Sequence, residues 1–287
     1  MFIGLSFALS AATFQTAKDI ISKKLSAKVD STVSTFASFA YAVPFYALAL
    51  GILWSLGLET FYVSAGFWSW VILRALSDLG AEWCKMHGMQ LGDLSVVSSL
   101  FALSPAFLLV TSPLITGDIP TVQGVVGVLI TVLGTLIVVH KPRGAGIIDR
   151  RAIFFGLASA AFFSLNSCFD RMAVQTASPT LSGFVMTFLA GLAVLPHMFR
   201  GESRFVNLRR ESKLFWTRGF LELIFMVSKL CALQYMQAPY VVAIQRLAIL
   251  FSIFSGHFIF HEKQLGQRLF GGAVVLAGVL VILGEQF

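Results

Sequence analysis

A chain of 287 residues that is 57% hydrophobic and only 12% charged lacks the polar surface of a soluble domain, in which about 25% of residues are charged. Its mean hydropathy of +0.83 and its 28 phenylalanines make lipid the solvent for much of its exterior. The net charge of +7 is concentrated in short segments around Lys23–Lys28, Lys141–Arg151 and Arg200–Lys213, which argues for cytoplasmic loops and against nucleic acid as a partner.

A helix needs about 20 apolar residues to cross the hydrocarbon core. Runs of that order lie near 2–20, 32–55, 67–89, 94–115, 121–140, 152–174, 179–198, 215–236, 239–260 and 266–284. They predict an all-α integral membrane protein with ten transmembrane helices. Strands are excluded because amides in lipid need partners within the segment, and the alternating segments of a barrel are missing. The first run starts at Met1 without a basic leader or a small-residue cleavage site, so it reads as a retained span. Short connections, Met89 to Asp93 and Gln237 to Pro239, make runs three and four antiparallel neighbours, and likewise runs eight and nine. Lys and Arg occupy the loops after runs one, five, seven and nine. The loops after runs two, four, six and eight carry only Glu59 and Asp118. That bias puts the basic loops in the cytoplasm and both termini outside. Cys84, Cys168 and Cys231 are far apart within apolar runs, so neither a disulfide framework nor a metal cluster is expected.

A shift of 144 positions aligns Arg74 with Arg218, Asp78 with Glu222, Lys85 with Lys229 and Gln90 with Gln234. It also aligns Asp118 with Glu262, Gly127 with Gly271, Gly134 with Gly278 and Leu136 with Leu280. Charges inside spans are rare, so their coincidence carries the weight of the match. The chain therefore divides into halves 1–144 and 145–287, each of five spans. An odd number of spans per half makes the repeat inverted, with a pseudo-two-fold axis in the membrane plane.

Run three places Arg74, Asp78, Glu82 and Lys85 within about 80° of one another around a helix. Run eight repeats this with Arg218, Glu222 and Lys229, and run nine adds Arg246. Each charge at the bilayer centre costs about 2.5–3.5 kcal/mol on insertion scales, so the stripes must face protein or water. Arg74–Asp78 and Arg218–Glu222 have i,i+4 spacing and read as mutually neutralising pairs. Glu82, Lys85, Lys229 and Arg246 show no local partner and read as cavity lining, with Glu222 as a fifth candidate. Mixed signs suit a zwitterionic or anionic solute. Gln15, Thr16, Lys18 and Asp19 in run one, and Asn166, Ser167, Asp170 and Arg171 in run six, fit either interhelical hydrogen bonds or pore lining. Trp83, Tyr235 and Tyr240 read as interface anchors. Gly127, Gly134, Gly271 and Gly278, at seven-residue spacing, read as helix-packing positions. No catalytic motif occurs. His87, His140, His197, His257 and His261 are scattered, and no cofactor is expected.

The sequence resembles the drug/metabolite transporter superfamily, EamA type, over nearly its whole length. The residues carrying the resemblance are Leu103-Ser104-Pro105, Gly117-Asp118, Gly127, Gly134 and Leu136 in the first half. In the second half they are Arg218, Arg246-Leu247, Phe260, Glu262, Gly271, Gly278 and Leu280. The resemblance implies two five-helix repeats around a central cavity, alternating access, and termini facing inward. These readings lead to a secondary transporter of a small polar or charged metabolite, proton-coupled or exchanging, as a monomer or homodimer in a bacterial inner membrane. Glu82 or Glu222 would carry the proton. The alternative is a membrane scaffold or an enzyme acting on lipid head groups, for which Lys85 and Lys229 would face lipid or cluster at one interface.

Overall fold

The computed structural model describes residues 2–26, 28–29, 31–59, 61–91, 100, 103–139, 150–199, 208, 210–251, 253 and 265–284. The described residues form helices α1 (Phe2–Ser26), α2 (Ser31–Ala40), α3 (Val43–Ser55), α4 (Phe67–Leu91), α5 (Ser104–Ile115) and α6 (Val122–Val139). These are followed by α7 (Arg150–Thr176), α8 (Pro179–Met198), α9 (Ser212–Tyr235), α10 (Ala238–Gln245) and α11 (Leu265–Gly284). Each apolar run holds at least part of a described helix, with α2 and α3 sharing run two. Thr32–Ser55, Arg150–Thr176, Pro179–Met198 and Gly266–Gly284 are long and apolar enough to cross a membrane. Helices α1, α4 and α9 have 25, 25 and 24 residues, but their polar interiors lower their hydropathy.

Helix starts follow local chemistry. Proline occupies the first turn of α3, α5, α8 and α10, where its fixed φ suits the helix and its missing N–H is no loss. Ser178 caps α8 by accepting from the Leu181 amide at 3.1 Å, and its hydroxyl donates to Glu59 at 2.7 Å. The turn after α5 uses Gly117 at φ 72°, a conformation that costs a side chain dearly.

Run nine departs from a continuous helix. Helix α10 ends at Gln245, and the amides of Arg246, Leu247, Ile249 and Leu250 then bond three residues back instead of four. This tightening frees backbone groups, and Thr16 Oγ1 donates to the Ala248 carbonyl at 3.1 Å. In run four, α5 starts at Ser104 after a turn in which Leu103 N donates to Leu100 O at 3.1 Å. The shift of 144 superimposes Leu103 on Leu247, so the two interruptions fall at matching positions.

Three tight antiparallel pairs organise the packing, each joining a helix before residue 145 to one after it. Helices α4 and α7 are laddered by Arg74–Asp170, Asp78–Asn166 and Ser159 Oγ to the Ala81 carbonyl. Helices α1 and α9 meet at Ser10–Ser228 and Lys18–Glu222. Helices α6 and α11 approach through glycines: a Cβ on Gly127 would lie 2.8 Å from the Gly278 carbonyl, and one on Gly134 2.8 Å from that of Gly271. In lipid, association depends on such close packing and hydrogen bonding, because hydrocarbon is as apolar as leucine. Tyr46, Leu108, Leu230, Leu233 and Ile244 fill the centre, while Trp68, Leu114, Val122 and Phe154 face outward.

Candidate functional site

At the centre lies the carboxylate of Asp170, fully buried on α7. Its Oδ1 accepts from Arg74 Nε on α4 at 2.8 Å and its Oδ2 from Lys229 Nζ on α9 at 2.7 Å. Arg74 also pairs with Asp78 at 3.0 Å. Asp78 in turn accepts from Asn166 Nδ2 at 2.8 Å, and Ser77 donates to the other end of that amide. Two cations thus meet two carboxylates, and every charge finds an opposite one. Such neutralisation is the condition for burying charge at acceptable cost.

A related group joins α1 to α9. Lys18 Nζ lies 3.0 Å from Glu222 and 4.0 Å from the centre of the Phe225 ring, a cation–π distance. Asp78 and Glu222 occupy matching positions of the two halves, and each receives a polar group from the opposing first helix of the other half. Arg218 turns instead to α2, donating to the Ser34 carbonyl at 2.8 Å and its hydroxyl at 2.7 Å. Tyr46 is buried on α3 with its ring against Gly183. Its hydroxyl faces Thr187 without making a well-formed hydrogen bond.

Arg171 is consumed structurally. Its guanidinium donates to the carbonyls of Leu233 and Met236 at the C-terminal end of α9, and pairs with Asp118 through Nη2 at 2.8 Å. A cation at a helix C-terminus meets both unpaired carbonyls and the negative end of the dipole.

Arg246 differs. It follows the last residue of α10, and Nη2 donates to Ser104 Oγ at 2.7 Å, at the start of α5. Its Nε is sealed from solvent with no acceptor, and so is the amide nitrogen of the adjacent Gln245.

Several expectations need amending. Lys229 has a partner after all, because tertiary packing delivers Asp170 from run six. Glu222 pairs with Lys18, a partner that its i,i+4 neighbour Arg218 did not suggest. Tyr240 is not an interface anchor: it is buried over Gly124, and its hydroxyl accepts from the Thr121 amide at 3.1 Å. Trp83 and Tyr235 are exposed as expected. Lys85 is half-buried with its ammonium 6.0 Å from the Phe163 ring centre. The side chains of Glu82 and Gln90, and residues Phe260 and Glu262, lie outside the described residues. Asp170, the hub of the cluster, drew little weight in the sequence. An acid within a hydrocarbon-length run in the half opposite a cationic stripe was the available signal. Among the described residues, no three His, Cys, Asp or Glu side chains are arranged to hold a metal ion.

Long helices paired across two halves around buried charges define a polytopic α-helical membrane protein. The chain belongs to the EamA-like transporter family, which matches residues 2–140 and 150–284. It is an integral, multi-pass membrane protein of a transporter family in the drug/metabolite transporter superfamily. Twenty-nine solved chains are similar. One, described only as the crystal structure of a protein, aligns with a TM-score of 0.73 at 14% identity, covering 99% of this chain and 97% of that one. At that identity the likeness is one of fold alone. None of the curated proteins compared matches.

Proposed function

We propose that the chain is a secondary transporter that moves a small polar or charged metabolite by alternating access. In this reading it has ten spans in two inverted five-helix repeats, residues 1–144 and 145–287. One observation carries the proposal. Under the 144-position shift the pair α4·α7 corresponds to α9·α1, and the pair α6·α11 corresponds to itself. A pseudo-two-fold axis between inverted halves requires this pattern. When the halves exchange conformations, a state open to one side becomes its counterpart open to the other.

Glu82, Lys85, Glu222, Lys229 and Arg246 are the proposed substrate-facing residues. Glu222 and Lys229 are held by Lys18 and Asp170 in the present arrangement, so substrate competes with internal ion pairs. Such competition links binding to movement, because a ligand shifts a two-state equilibrium only by its differential affinity. Glu222 or Glu82 carries the proton where transport is proton-coupled, and exchange is the other coupling. The burial of Lys229 on Asp170 among the packed helices favours this reading over a scaffold or a lipid head-group enzyme. The inner membrane of a bacterium is the proposed location.

Reconstitution into proteoliposomes tests the proposal. Uptake of radiolabelled amino acids, sugar phosphates and amines is measured under an imposed pH gradient and under exchange conditions. Saturable flux of at least one class is expected, and none in any class would sink the transport reading.

A further inference from the structure

Arg74, Arg171 and Arg218 all find carboxylate or carbonyl acceptors. Among the described residues, Arg246 makes one hydrogen bond, to the neutral Ser104 hydroxyl, and no carboxylate or carbonyl accepts from it. Arg246 is part-buried, and a cation drawn even partly out of water without an anion is costly to hold. Cost alone does not make a site, but the surroundings of Arg246 add to it. The residue sits in the two-residue tightened turn of run nine, after which residues 248–251 are helical again, and it meets Ser104 just after the turn of run four. Interrupted helices at corresponding positions of two repeats are where transporters of this architecture build substrate sites. Ser104 opens helix α5, which has no side-chain cap. Gln245 adds a second buried donor lacking an acceptor.

We infer that Arg246 and Ser104 bind the carboxylate of a monoanionic or zwitterionic solute between the breaks of runs four and nine. The inference rests on the transport reading and names its substrate class. Charge balance selects that class. Among the described residues, the site supplies one full positive charge and otherwise neutral donors. A carboxylate cancels that charge and accepts paired hydrogen bonds from a planar guanidinium. A phosphate dianion would leave an excess negative charge in a region of low dielectric, and a quaternary amine would meet a like charge. A purely structural arginine at this point would donate to the closing carbonyls of α10, as Arg171 does to those of α9.

Thermal-shift titration of the purified full chain in detergent tests the site. The probes are short monocarboxylates, zwitterionic amino acids, inorganic phosphate and tetramethylammonium. At least one carboxylate or amino acid should raise Tm saturably, while phosphate and tetramethylammonium should not. Arg246→Gln should weaken that binding by about 10- to 100-fold and leave the ligand-free Tm equal to or above the parent's, since an uncompensated charge has been removed. Ser104→Ala should weaken binding less. If Arg246→Gln does not fold, Arg246→Lys keeps the charge and loses the planar fork, and it should still weaken binding. No carboxylate response, a preference for phosphate, or undiminished binding in the folded Arg246 variant overturns the site. Flux of an amine or phosphate in liposomes would then leave the transport reading standing. Carboxylate binding without flux would do the reverse.

Discussion

Arg74 in the first half donates to Asp170 in the second at 2.8 Å, and the two side chains are 14% and 0% exposed. This contact locks α4 to α7, while Lys229 on the other carboxylate oxygen draws α9 to the same point. One acid therefore holds three helices.

Replacing Asp170 by Asn should be among the most destabilising single changes in the protein. It leaves Lys229 without an anion and Arg74 with only Asp78, at a cost of about 3–5 kcal/mol for breaking a buried pair. Detergent thermal unfolding checks this. Adding Lys229→Met should recover part of the loss, and a strictly additive double variant would show that the two residues are not coupled.

The glycine contact between α6 and α11 makes a second test. Gly127→Ala brings a methyl within 2.6 Å of Ile282 Cγ1 and 2.8 Å of the Gly278 carbonyl, and overpacking of this kind costs about 1–3 kcal/mol. Gly51 has nothing within 4 Å of its would-be Cβ. Gly51→Ala should therefore be neutral or slightly stabilising in the same unfolding assay, because alanine favours a helix interior.

Arg171 provides a geometric prediction. Its acceptors are two carbonyls and the Asp118 carboxylate, a set that needs a planar fork of donors. Lysine offers a point charge instead. Arg171→Lys should lower Tm nearly as far as Arg171→Met, whereas a lysine that restored full stability would mean charge alone matters here.

Relative motion of the halves can be arrested where α1 meets α9. Ser10 Oγ and Ser228 Oγ are 3.1 Å apart, close enough for a disulfide once both are cysteine and the native Cys84, Cys168 and Cys231 are removed. Oxidation should abolish flux in proteoliposomes, and reductant should restore it. Full flux in the cross-linked protein would mean these two helices do not move apart during transport.

Hydropathy and the 144-position shift were enough to predict a membrane protein, its helical runs and the small-residue faces of α6 and α11. Those features depend on residues near one another in sequence, or on a pattern repeated in each half. The i,i+4 pair Arg74–Asp78 was legible for the same reason. The partners of Lys229, Glu222 and Arg171 were not, because each comes from a helix of distant sequence, and only packing decides which stripe faces which. The tightened turn after Gln245 was hidden too. No glycine or proline marks it, and a hydrophobic run reads alike whether its backbone is continuous or broken. Sequence thus determined the solvent and the helical elements. Tertiary structure alone decided which buried charges cancel and that, among the described residues, part-buried Arg246 faces a neutral hydroxyl.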